Sequence, residues 1–444
     1  MATPPSVARG FWLLWSAQVI SLLGSGLTTF GLAVYVYQGT GSVLKFGTVA
    51  ATAIIPQILM GPLSGVAADR KSRKAILLAA NFLGIAVLLF LSIMASRGHL
   101  AISVIYPCTL LLGVVTVIQE PALSASIPLL VPDEKLGNAN GLVEIAQAGA
   151  QVVSPVAAGL VLGAFGLRPI LAVDLTSFAL AALLIGMVRI PRSRPEAAEE
   201  STVLKDLAAG FAYLRSETGL MTLIGVFVLA NFFIAMAEVA LQPMILSFTD
   251  SRTLGVVLSV GGAGYVVGGL VMSKWGGPDK KVTAALGFMA LEGVALFLAG
   301  LRPSVAMVAV SVFLLFAALP IESACTLTVF QRKVPDELRG RVLALATTLS
   351  TLALPLGYFA AGPLADDLLN PLLRHGGALS SSLGPVFGTA QGRGIGLLMS
   401  CIGLIFVVIC LLAPRNRHLK VLDTETMENL LGESRIAAAE DVPV

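Results

Sequence analysis

The chain has 444 residues, of which 56% are hydrophobic and only 12% charged, with a mean hydropathy of +0.88. Soluble domains carry about 25% charged residues, so a globule whose whole surface meets water is excluded. The net charge of +3, without a basic patch interleaved with aromatics, also gives no footprint for nucleic acid.

Apolar stretches of about 20 or more residues, each long enough to cross a ~30 Å hydrocarbon layer as a helix, recur between Phe11 and Ala413. Twelve spans are predicted: 11–37, 46–68, 75–96, 101–129, 141–165, 169–189, 220–248, 253–275, 282–301, 304–330, 342–366 and 394–413. A backbone crossing lipid must satisfy its own hydrogen bonds, so all twelve should be helical, and 45 glycines suit close packing between them. The fold class is therefore an all-α membrane protein of twelve transmembrane helices, with no strands.

In chain order, MATPPSVARG leads into the first apolar run without a small-residue cleavage site, which predicts a retained span rather than a removed leader. That span carries a polar stripe of Gln18, Ser21, Ser25 and Thr28. The second and third spans are joined by GPLSGVAADRKSRK, residues 61–74. The fourth holds Glu120 beside Pro121, the fifth holds Ser154, Pro155 and Gly159 within GAQVVSPVAAG, and the sixth holds Asp174.

The widest hydrophilic break follows, and it divides the chain into an N-terminal six-helix bundle (1–190), a cytoplasmic linker (191–219), a C-terminal six-helix bundle (220–413) and a cytoplasmic tail (414–444). The seventh span places Asn231, Glu238 and Gln242 seven and four residues apart, on one helical face. Glu292 lies in the ninth span, and Glu322 in the tenth beside Pro320. Asp366 and Asp367 end the eleventh, and a long connection runs from 368 to 393. The tail contains LDTETMENLLGE, a candidate amphipathic helix.

The two bundles repeat one another. Val131-Pro132-Asp133-Glu134 with Gly137 returns as Val334-Pro335-Asp336-Glu337 with Gly340, and Ala157-Ala158-Gly159 as Ala360-Ala361-Gly362, at one offset of 203 residues. The same offset lays Gln119-Glu120 on Glu322-Ser323, so both acids sit at similar depth, ~12 Å from one end of their spans. With twelve spans both termini share a side, and 22 of the 29 Lys and Arg residues fall there, against 7 on the other, which predicts cytoplasmic termini.

The 61–74 segment resembles the loop signature of the major facilitator superfamily at Gly65, Asp69, Arg70, Arg73 and Lys74, although Ser72 stands where the family has glycine. The stretch Thr328 to Val342, with Gln331-Arg332, Glu337-Leu338 and Arg339-Gly340-Arg341, is similar to the branch of macrolide-efflux-like and siderophore-exporter-like drug:proton antiporters, as is Asp174 in AVDLTSF. The resemblance implies two pseudo-symmetric six-helix bundles that rock about a central cavity lined by the first, fourth, seventh and tenth spans. It implies a conformational gating role for the loop motif. The fifth-span segment resembles the antiporter bend at Ser154, Pro155 and Gly159, with Ser154 in place of the usual glycine. The bland alternatives are that Arg70, Arg73 and Lys74 only anchor the cytoplasmic face, and that Pro155 is a generic bend.

A carboxylate inside the bilayer is costly unless it faces water or keeps its proton, so Glu120, Glu238 and Glu322 are the first candidates for proton coupling or a substrate cavity, with Gln18, Ser25, Asn231 and Gln242 as polar lining. Asp174 and Glu292 fall in spans that are peripheral in the family and are expected to be structural. Glu144, near a span end, is placed beside the Asp69 loop. Cys108, Cys325, Cys401 and Cys410 lie in apolar segments, and no metal or other cofactor is expected. The expectation is a monomeric, multi-pass protein of a bacterial plasma membrane. It exports an amphipathic small molecule (a drug, macrolide, siderophore or natural product) by proton antiport with alternating access, its partners being the solute, protons and membrane lipids. The alternative is an uptake symporter or a lysophospholipid-type lipid transporter of the same fold. No nucleophile elbow, nucleotide loop or intramembrane His-acid pair supports an enzyme.

Overall fold

The computed structural model describes residues 5–70, 72–98, 100–132, 136–190, 211–390 and 392–424; the side chains of residues 5–8, 58 and 61–70, and of some residues within 137–151 and 336–344, lie outside the description. Within it the chain is helical, with no strand among the described residues. The first six helices are α1 (Pro5–Thr40), α2 (Val43–Arg70), α3 (Arg73–Ser96), α4 (Ile102–Ser126), α5 (Leu136–Phe165) and α6 (Leu167–Met187). They are followed by α7 (Thr218–Leu246), α8 (Ser251–Trp275), α9 (Lys281–Leu301), α10 (Val305–Lys333), α11 (Asp336–Thr351), α12 (Leu354–Pro363) and α13 (Arg393–Leu412).

Ten described helical stretches are long and apolar enough to cross a membrane, and Val43–Gln57 in α2 and Val152–Phe165 in α5 are shorter apolar runs inside helices of 28 and 30 residues. These account for the twelve expected spans. The eleventh is not one straight helix: it is interrupted between Thr351 and Leu354, and its far end widens into an i→i+5 turn over Leu364–Leu369 that holds Asp366 and Asp367.

The chain divides into two compact units, Met1–Ala198 with Thr249–Ser259, and Glu199–Phe248 with Val260–Val444. In the first, α1 lies along α5 and α6, α3 along α4 and α6, and α2 along α4. Glycine makes these approaches possible. A side chain at Gly84 of α3 would strike the Phe178 ring of α6 at 2.4 Å, and one at Gly113 of α4 would strike the Ala53 carbonyl of α2 at 2.4 Å. Cations close the helix ends: Arg73 Nη1 donates to Ala125 O at 2.7 Å, Lys74 Nζ to Gly186 O and Val188 O at 2.5 and 2.8 Å, and Arg168 to Ala95 O and Ser96 O at 3.2 Å. Each meets carbonyls at a C-terminal helix end, where a positive charge also suits the helix dipole.

In the second unit α9 packs between α10 and α13. Gly293 and Gly300 of α9 lie against the backbone at Gly403 and Gly396 of α13. At one end of α9, Arg393 is 2% exposed and donates to Gly300 O at 2.9 Å, Leu301 O at 3.2 Å and Phe387 O. It ties that end to the 368–393 connection, a folded cap whose single turns Asn370–Leu373 and Gly384–Phe387 bury Leu373 and Phe387 against Leu397.

At the other end of α9 the described part of the tail performs the opposite cap. Residues 417–424 are helical, with Leu419 and Leu422 buried among Leu214, Leu220 and Phe330. They seat Asp423 so that Oδ1 accepts from Val282 N at 3.0 Å and Oδ2 from the Thr283 hydroxyl at 2.6 Å. An acceptor carboxylate at the first free N–H groups of a helix is the usual stabilising cap, here supplied by a segment 140 residues away along the chain. Asp250 plays this part locally for α8: Thr253 N donates to its Oδ1 at 2.7 Å, which holds the carboxyl below the usual carboxylate range. Its charged cap is therefore complete above that range and is lost only as pH falls through the lowered value.

The tail cap carries a testable consequence. Asp423→Ala strands two donors and should lower the second unit's stability by about 1–2 kcal/mol, read as an earlier unfolding midpoint in detergent, while Asp423→Asn, which keeps one acceptor, should lose less.

Candidate functional site

Two polar faces can be built from single helices upward. On α4 the exposed side chains Thr116, Glu120 and Ser124 recur every four residues, between the buried Val115, Gln119, Ala122 and Leu123 that pack inside the unit. Glu120 is thus left uncovered by protein, whereas Thr116 turns its hydroxyl back to Leu112 O at 3.2 Å. On α1 of the same unit, Gln18 and Ser25 are half-buried and Ser21 and Thr28 buried.

In the second unit Glu238 is exposed on α7 between the buried Ala237 and Val239. The Tyr358 hydroxyl of α12 donates to its Oε2 at 2.9 Å. Tyr358 is 3% exposed, and it reaches α7 because Gly357, whose added side chain would meet Phe232 O at 2.4 Å, brings the two helices together. Tyr358 was not among the sequence candidates; its one signal there was an isolated phenol within an apolar span, just before Ala360-Ala361-Gly362. Asn231 donates to Phe227 O in its own helix at 2.9 Å, and Gln242 has a buried Oε1 with no partner among the described residues.

Glu322 is half-buried on α10 and accepts from the Thr326 hydroxyl one turn on at 3.1 Å. Glu292 on α9, set aside from the sequence as peripheral, is 2% exposed and lies close enough to Glu322 for the two charges to interact. Asp174, set aside likewise, is 0% exposed. Among the described residues these two acids have the least exposed surface.

Of the expected gating residues, Gly65, Asp69 and Arg70 belong to the last turns of α2, and their side chains lie outside the described residues, as does that of Glu144. Arg73 and Lys74 are engaged as helix-end clamps inside the first unit. Pro155 sits within an unbroken α5. Ser154 donates to Leu23 O of α1 at 3.3 Å opposite Gly26, and Gly159 meets the first turns of α8: a side chain there would come within 2.8 Å of Gly255 Cα and 3.1 Å of Ser251 O. Gln38 Nε2 also donates to Ser251 Oγ at 2.6 Å. Among the described residues no group of three or more His, Cys, Asp or Glu is placed to hold a metal ion.

Residues 14–358 match the family described as Major Facilitator Superfamily. The chain is 28% identical over 371 residues to macrolide efflux protein A of Streptococcus pyogenes, covering 81% of this chain and 90% of that protein. It is 25% identical over 413 residues to the enterobactin exporter EntS of Shigella boydii, covering 90% and 92%. Similarity of fold extends to an inward-facing, unoccupied bacterial homologue of the human lysosomal transporter Spinster, with a TM-score of 0.68 at 15% identity over 97% of this chain and 99% of that one.

The contact at Gly159 gives a sharp test. Its neighbours are backbone atoms that cannot turn aside, so Gly159→Ala should force α5 from the start of α8 and cost about 1–3 kcal/mol, measured as a lower unfolding midpoint, whereas Gly149→Ala, with open space around it, should be near neutral.

Proposed function

Because the chain belongs to the Major Facilitator Superfamily, we propose that it is a secondary exporter of an amphipathic small molecule, of the drug, macrolide, siderophore or natural-product class, driven by proton antiport through alternating access. It is a multi-pass membrane transporter and not an enzyme. Export is supported by relatives named for macrolide efflux and enterobactin export, which match across nine-tenths of their own lengths.

The observation that carries the chemistry is the exposure of Glu120 and Glu238. An acid exposed on a helix within a span is tolerable only where water reaches it, so each marks a wetted face of its unit. Apart from these acids the wetted faces offer hydroxyls and amides among apolar side chains, a lining suited to amphipathic or cationic solutes rather than sugars or phosphates. In this reading Glu120, Glu238 and Glu322 exchange protons with the solute's passage, while Gln18, Ser25, Asn231 and Gln242 supply polar contacts. Both termini are cytoplasmic, in keeping with the distribution of Lys and Arg. The loop motif at Gly65, Asp69 and Arg70 biases one conformation, and the chain acts as a monomer.

Proteoliposomes decide between export and its rivals. An imposed pH gradient should drive a macrolide or a lipophilic cation against the proton flux, and co-directional movement of solute and proton would replace this reading with uptake symport. Glu120→Gln, Glu238→Gln and Glu322→Gln should each reduce solute-dependent proton flux, and retention of full flux in all three would discard the coupling. Tyr358→Phe removes the phenol's hydrogen bond to the Glu238 carboxyl, worth about 1–3 kcal/mol, so flux should fall about fivefold or more with the protein still folded.

A further inference from the structure

Asp174 is fully enclosed in the contact between α6 and α1. Gly24 of α1 makes room for it: a side chain there would come within 2.6 Å of Asp174 Oδ1 and 2.3 Å of Ser177 Oγ. Ser177 donates to the Asp174 carbonyl at 2.7 Å and reaches Oδ1 at 3.1 Å. The other oxygen, Oδ2, is buried with no hydrogen-bond partner. One helical turn past Gly24, the buried Thr28 hydroxyl faces the same carboxyl, its second neighbouring hydroxyl after Ser177, and among the described residues has no other partner.

No charge answers this group among the described residues. Between Arg9 and Thr40, α1 has no charged residue, and α3 has none after Lys74. Arg73 and Lys74 are held at the far end of the unit on the carbonyls of Ala125, Gly186 and Val188, and Arg168, at the start of α6, on those of Ala95 and Ser96. The single charged residue of α5, Glu144, belongs to the opposite end of its span and its side chain is outside the description. An anion in such a place would need a cation or a cage of N–H donors. A neutral acid needs only one acceptor for its O–H, and Thr28 Oγ1 is the orphan acceptor beside the orphan oxygen.

We propose that Asp174 is a proton-binding site of the N-terminal bundle, its Oδ2 carrying a proton that it donates to Thr28 and so pinning α6 to α1. A Thr28 hydroxyl donating to a carboxylate would also join the two atoms, but with Ser177 as the other hydroxyl and no cation or N–H beside them it would leave a full negative charge buried, whereas the neutral acid leaves none. Loss of the proton would leave an unpaired anion that only water or a shift of α1 can accommodate, so proton occupancy biases the helix bearing Gln18 and Ser25. The inference stands on this contact alone and is independent of the direction of transport.

Infrared spectroscopy of the full-length protein in nanodiscs at neutral pH tests it. The carbonyl band of a protonated carboxyl should be present, should vanish in Asp174→Asn, and should move to higher frequency in Thr28→Val, where its hydrogen bond is gone. The amide of Asp174→Asn can still donate to Thr28, so that variant should unfold close to the wild type. If Asp174→Asn leaves the spectrum unchanged, the proposal fails. Should that variant not fold, Thr28→Val decides: a shifted band supports the site and an unshifted one overturns it.

Discussion

Inside a hydrocarbon layer there is no water to accept or donate, so each polar group must be answered by the protein or reached by a wetted surface. That constraint explains why the side-chain hydrogen bonds of this chain run so often to the backbone. The hydroxyls of Thr116, Thr222, Ser259 and Thr328 turn back to carbonyls four residues earlier in their own helices, which neutralises them locally and frees the outer faces for lipid or helix contact. At helix ends, where carbonyls lack intrahelical partners, Arg73, Lys74, Arg168 and Arg393 are used in place of water.

Within each unit cohesion depends on near approach of backbones, since lipid tails solvate apolar side chains as well as other helices do. Gly84 and Gly113 in the first unit, and Gly293, Gly300 and Gly357 in the second, are places where any side chain would collide with a neighbour. Such contacts gain dispersion only at short range, so they resist gradual deformation and favour motion of packed groups of helices as bodies. The pairing of Gly159 with Gly255 belongs to the same class, and it attaches the first turns of α8 to the helices of the first unit.

The intramembrane acids sort by how the constraint is met. Glu120 and Glu238 are exposed on their helices, the second with its carboxyl steadied by a buried phenol. Glu322 is intermediate, with one hydroxyl donor. Asp174 and Glu292 are enclosed, each with one oxygen lacking a partner. The tail adds a third theme, since Asp423 joins the last described turns, residues 417–424, to the start of α9 and makes them part of the second unit's support.

Sequence alone determined the number of crossings, their helical nature and the internal repeat, because these follow from the lengths of apolar runs and from local spacing. It also singled out Glu120 of α4, but left the stripe that it forms with Thr116 and Ser124 unremarked. Tertiary structure decided the rest. Helices apolar on every side carry almost no amphipathic signal, so nothing in a span's own pattern says which neighbour it meets. For that reason the enclosure of Asp174 and Glu292 was not legible, Tyr358 was invisible as the partner of an acid 120 residues away, and the eleventh span read as one helix although it breaks before Leu354 and widens after Pro363. What a residue is follows from the chain; what answers it in the absence of water depends on the helix packed beside it.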